Sequence, residues 1–88
     1  VSRRSKLAGK VVLVTGAARG IGEHTARLAA ARGARLALLG LEPDRLAALA
    51  RELGPGHAWF ACDVTDQPGL EAAVRGAADA LGGIDAVV

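Results

Sequence analysis

Gly16, Gly20 and Gly22 are spaced Gly-x-x-x-Gly-x-Gly within "VLVTGAARGIG", residues 12 to 22, between an apolar β-branched run and a helical pattern. A backbone free of Cβ atoms at such a junction brings peptide N–H groups and a helix N-terminus against an anion, and a pyrophosphate suits it. Gly16 is expected to permit the tight turn, Gly20 to let a phosphate approach, and Gly22 to let the helix pack near the strand. Three glycines alone also serve ordinary turns. Their setting between a buried strand and an amphipathic helix, inside a repeated pattern, favours the binding reading.

That pattern supplies the elements that must hold the turn. Apolar "VVLVT" (11–15) reads as a strand, a helix follows from about Ile21 to Arg32, and "RLALL" (35–39) is a second strand. Pro43 suits the first turn of a second helix, in which Leu46, Leu49, Ala50 and Leu53 share one face before Gly54, Pro55 and Gly56 end it. "HAWFA" (57–61) is a third strand, with Trp59 and Phe60 as core and surface. A third helix carries Leu70, Ala73, Val74, Ala77 and Leu81 on one face with Thr65 as its N-cap, and "IDAVV" (84–88) begins a fourth strand. Strands apolar throughout, separated by amphipathic helices, predict an α/β fold: a Rossmann-like doubly wound parallel sheet, partial, in strand order 3-2-1-4. The ligand crevice is expected at the carboxyl ends of the first and fourth strands.

At "TGAARGIG" the chain resembles the short-chain dehydrogenase/reductase family, whose cofactor motif is Thr-Gly-x-x-x-Gly-x-Gly. "LAGKVVLVTG", "CDVTD" and "GGIDAVV" are similar to the same family, so the resemblance covers nearly the whole chain. It implies that Thr15, Gly16, Arg19, Gly20, Ile21 and Gly22 bind the diphosphate and adenosine ribose. It further implies that Asp63 meets the adenine amino group, helped by the Val64 backbone; a carboxylate that merely stabilises its own turn is the alternative. Asp85 resembles an aspartate with a structural role.

The resemblance implies NAD or NADP as cofactor. Gly40 stands where NAD-preferring relatives carry aspartate, and Leu41, at the ribose 2′ position, where many NADP-preferring relatives carry arginine. Glu42 at the ribose would repel a phosphate, although it also reads as a residue simply preceding a helix. Arg19 is similar to the loop cation that favours NADP. The two cues oppose each other, and Arg19 tips the balance slightly to NADP.

Complete family members transfer hydride between the nicotinamide and a carbonyl or alcohol with a Tyr-x-x-x-Lys pair and a serine. This chain has no tyrosine, its lysines (Lys6, Lys10) precede the first strand, and its serines (Ser2, Ser5) lie in the amino-terminal arm. No catalytic residue and no metal ligand is therefore assigned. The expectation is the NAD(P)-binding amino-terminal portion of an oxidoreductase, inactive alone, with small-molecule substrate and homo-oligomer formation belonging to the complete protein. A non-catalytic dinucleotide-binding or interaction module is the alternative.

Composition bounds the rest. Eighty-eight residues, 51% hydrophobic and 23% charged, suit one small globular unit: a basic arm over residues 1–9 and a partial domain over 10–88. Arg3, Arg4 and Lys6 contribute to the +2 net charge. Without an aromatic platform or basic helix stripe, they offer little support for nucleic-acid binding. A single cysteine, Cys62, forms no internal disulfide, and no apolar run approaches a membrane span, so the expectation is a cytoplasmic protein without a membrane partner. A first residue other than methionine points to a trimmed or partial sequence, or to an alternative start codon translated literally. His24 is expected as a surface or packing residue, His57 as solvated, and Cys62 as a buried small hydrophobe beside the adenine pocket.

Overall fold

The computed structural model describes residues 7–88. Most of the basic arm, including Arg3, Arg4 and Lys6, lies outside the described residues. The elements follow as β1 (Val11–Val14), α1 (Gly20–Ala31), β2 (Arg35–Gly40), α2 (Pro43–Leu53), β3 (Ala58–Ala61), α3 (Gln67–Leu81) and β4 (Ala86–Val87). All strand pairings are parallel and the order is β3-β2-β1-β4, as expected from right-handed crossovers on a strand-helix alternation.

Successive strand residues point to opposite faces, and here both faces are covered. Val12, Val14, Leu36 and Leu38 pack with Ala26 and Ala29 of α1 and Leu46 and Leu49 of α2. Val11, Leu13, Ala37 and Leu39 pack on the other side with Ala73, Ala77 and Leu81 of α3. This explains why β1 and β2 read as unbroken apolar runs rather than alternating ones. Leu13, Leu36, Leu38 and Leu39 are essentially inaccessible; burying each contributes roughly 1.5–3 kcal/mol. The central strands are thus the rigid base from which the loops project.

Backbone hydrogen bonds knit the strand ends together on the side where those loops lie. Thr15 N–H donates to Val88 O at 3.0 Å, Ala17 N–H to Leu39 O at 2.9 Å, and Cys62 N–H to Gly40 O at 2.8 Å. At the opposite end, Asp85 exchanges two bonds with Val11: its N–H donates to Val11 O, and its Oδ2 accepts from Val11 N–H, each at 2.8 Å. Gly9 N–H donates to Gly33 O at 3.0 Å, and Leu7 packs against the α1–α2 core.

Three local expectations are corrected. The N-cap of α3 is Asp66, not Thr65, and no side chain caps the helix. Thr65 is diverted: its N–H and hydroxyl both donate to Asp63 Oδ1, at 2.9 and 2.7 Å, which closes a local turn before the helix begins. His57 is half-buried rather than solvated, because its Nδ1 accepts the Leu36 N–H at 3.0 Å and stands in for a strand carbonyl just before β3. His24 is exposed on α1, and in β3 the expected order is reversed: Trp59 faces solvent while Phe60 packs half-buried against the α3 side of the sheet.

Candidate nucleotide-binding site

The turn between β1 and α1 requires two glycines by its backbone and a third by its packing. Gly16 and Gly20 have φ of 63° and 54°, the left-handed region that side chains with a Cβ rarely adopt. Gly22 has ordinary backbone angles, but a Cβ there would lie 1.9 Å from Gly16 O and 2.6 Å from Gly16 C. The first turn of α1 therefore rests directly on the loop that precedes it. Arg19 occupies the N-cap position without a side-chain hydrogen bond to the helix, and the first turn-closing bond runs from Glu23 N–H to Arg19 O at 3.2 Å. The N–H groups of Gly20, Ile21 and Gly22 have no helical carbonyl to donate to, and the helix dipole adds partial positive charge there. An anion is the natural complement of this end.

Beside the turn is a cavity of about 280 Å³ at the carboxyl ends of β1, β2 and β3, lined by Gly16, Ala18, Arg19, Gly40, Leu41, Glu42, Cys62, Asp63 and Val64. Leu41 and Val64, 70% and 49% exposed, add apolar surface to the lining, as small-molecule sites commonly do. Asp63 Oδ1 is occupied by Thr65, which holds the carboxyl below its usual range, while Oδ2 makes no bond among the described residues. Burial, with Asp63 and Asp66 nearby, pushes the Cys62 thiol upward, so the neutral, weakly nucleophilic form prevails.

Of the expected site residues, the fold brings Gly16, Arg19, Leu41, Asp63 and Val64 to this one cavity. Gly20, Ile21 and Gly22 form the adjoining helix start, where Ile21 is 86% exposed. Thr15 is turned elsewhere: its hydroxyl donates to Val88 O at 2.9 Å, tying β1 to β4 instead of reaching the cavity. Ala18, Gly40 and Glu42 complete the lining. The Asp63 carboxylate closes its own turn through Thr65, and the residue also lines the cavity.

The two opposed cofactor cues turn out to be bonded to each other. Arg19 pairs with Glu42 through Nε to Oε1 and through Nη2 to Oε2 at 2.7 Å. Arg19 accordingly holds the Glu42 carboxyl below its usual range, and Glu42 raises the guanidinium. Arg45 of α2 went unremarked in the sequence. Its only signal there is the i,i+3 spacing from Glu42 across the start of the helix, and its Nε stands 3.6 Å from Glu42 Oε2.

The cavity lies beyond β1, β2 and β3 rather than between β1 and β4 as expected, because the loops after β2 and β3 close over it. A parallel sheet with a glycine turn, an uncapped helix end and a cavity at the strand carboxyl ends defines a Rossmann-like nucleotide-binding unit. The sequence pattern of the short chain dehydrogenase family matches residues 10–88, and the chain belongs to that family. It is 45% identical over 86 residues to D-threitol dehydrogenase of Mycolicibacterium smegmatis, covering 94% of this chain and 33% of that protein. It is 43% identical over 82 residues to the mitochondrial (-)-isopiperitenol/(-)-carveol dehydrogenase of Mentha piperita, covering 91% of this chain and 31% of that one. The crystal structure of L-sorbose reductase from Gluconobacter frateurii, complexed with NADPH and L-sorbose, superposes with a TM-score of 0.89 at 32% identity, covering 97% of this chain and 34% of the reductase. The chain thus spans about a third of the length of these relatives.

Proposed function

We propose that this chain forms the adenosine diphosphate half of a nicotinamide dinucleotide site, and that the protein to which it belongs transfers hydride between that cofactor and a carbonyl or alcohol. The observation that carries the reading is the bare turn of Gly16, Gly20 and Gly22 opening onto a cavity that Asp63 borders. In this assignment the pyrophosphate lies over the turn and takes the free N–H groups at the start of α1. The adenine lies between Leu41 and Val64, with Asp63 Oδ2 accepting from its amino group. The ribose then faces Arg19 and Glu42. Thr15 acts at one remove, by fixing β4 against the turn.

The cofactor supplies the hydride chemistry when bound; these residues bind, orient and exclude water. Their binding energy serves to position a nicotinamide that lies beyond them, which is how remote contacts assist a reacting centre. Between the two cofactor forms, NADP is favoured: Arg19 is a cation at the ribose position, and the reductase of similar fold was solved with NADPH. No helix among the described residues is long and apolar enough to cross a membrane. Substrate and subunit partners belong to the complete protein, for which a homo-oligomer in the cytoplasm is proposed.

Amide hydrogen exchange with and without ADP-ribose tests where the ligand sits. Protection is expected at residues 16–22 and 62–65. Protection elsewhere, with those segments unchanged, would remove the assignment.

A further inference from the structure

Two arginines from different elements converge on one carboxylate at the edge of the cavity. Glu42 Oε2 accepts from Arg19 Nη2 at 2.7 Å and lies 3.6 Å from Arg45 Nε. Arg45 is aimed by a further contact, Nη1 to Ala18 O at 3.4 Å, within the same loop that carries Arg19. Arg45 borders the neighbouring cleft between α1 and α2 rather than the cavity itself. Glu42 is also the N-cap of α2, where the helix end favours negative charge. The position therefore holds an anion between two cations and a helix terminus, with one positive charge in excess.

Resting on the reading of the cavity as an adenosine site, we infer that Glu42 is an exchangeable occupant of a phosphate position. The 2′-phosphate of NADP displaces its carboxylate from between Arg19 and Arg45, and Arg45 is thereby a specificity-determining residue. The exchange is energetically open because all three side chains remain in contact with solvent, Arg19, Glu42 and Arg45 being 66%, 37% and 53% exposed. A charge-assisted pair is thus replaced by another of the same kind while the released carboxylate is hydrated. A phosphate monoester brings about −1.5 to −2 charges and three acceptor oxygens, against one charge and two oxygens on the carboxylate. It matches two guanidinium forks better than Glu42 does. The displaced carboxylate moves into water without a desolvation penalty. An unphosphorylated ribose has no charge to offer the arginines and leaves the clasp closed.

The test compares adenosine 2′,5′-bisphosphate with 5′-AMP, which differ only in the 2′-phosphate, on the full chain and on Glu42→Gln, Arg45→Gln and the double variant. Binding is measured by calorimetry, and retention of fold by the urea midpoint. The affinity ratio of bisphosphate to AMP is expected to rise about tenfold in Glu42→Gln and to fall about fivefold in Arg45→Gln. In the double variant it should again lie about fivefold below Glu42→Gln, since Arg45 then meets phosphate directly. An unchanged ratio in Glu42→Gln overturns the proposal, as does an Arg45→Gln effect that vanishes once Glu42 is neutral, because Arg45 would then only position Glu42. Glu42→Ser replaces Glu42→Gln if the latter loses its fold. Failure of a folded chain to bind either nucleotide would instead bring down the adenosine reading of the cavity, and this proposal with it.

Discussion

Gly22 shows how a single hydrogen atom in place of a side chain positions a site. Its missing Cβ would meet backbone on the Gly16 side, and backbone has no rotamer to yield. Gly22→Ala is therefore expected to cost about 2–3 kcal/mol of stability, the upper range for overpacking, and to weaken ADP-ribose binding as the start of α1 is pushed off the turn. A shift in the urea midpoint equivalent to less than about 0.5 kcal/mol, the range of an ordinary surface change, would contradict this. The role of Gly22 was legible because its spacing from Gly16 and Gly20 implies the geometry. The meeting of Arg19 with Glu42 was not, since it depends on where two loops separated by α1 and β2 come together. Nor was the commitment of Thr15 to Val88, because a hydroxyl beside a binding turn reads equally as ligand contact or as brace.

At the scale of elements, the order β3-β2-β1-β4 followed from alternation and handedness, and the strand boundaries fell close to the apolar runs. Element ends were less legible because side chains compete there with the backbone. Thr65 has the composition of an N-cap but is bound by Asp63, and His57 has the composition of a loop residue but extends the β2–β3 ladder. The His57 bond requires an unprotonated Nδ1. Burial, followed by the charge of Arg35, holds the folded imidazole below the ordinary histidine value. The unfolded chain takes up the proton at that ordinary value, near pH 6.5, while the folded chain resists it. Stability from this group is complete above that value and is lost as pH falls below it toward the lower folded value. The urea midpoint of the wild-type chain should drop between pH 7.5 and 5.5 more than that of His57→Gln, whose amide oxygen accepts the same bond without titrating. Equal slopes would contradict the role given to His57.

For the whole molecule, the terminal positions of β3 and β4 in the sheet decide solution behaviour. Val87 and Val88 are 66% and 57% exposed on the β4 side, and Trp59 is 39% exposed on the β3 side. Unpaired strand edges with apolar side chains recruit further chains. Sedimentation equilibrium of the isolated chain should show an apparent mass that rises with concentration and falls back in Val87→Lys; a monomer at every concentration would refute this. Whether these residues form a working adenosine half-site is decided by calorimetric titration with ADP-ribose, set against NADP and NAD. Saturable binding of ADP-ribose within about tenfold of the better dinucleotide is expected, because the cavity and glycine turn contact the half they share. A folded chain that gives neither heat nor a shift in unfolding midpoint with ADP-ribose would contradict it.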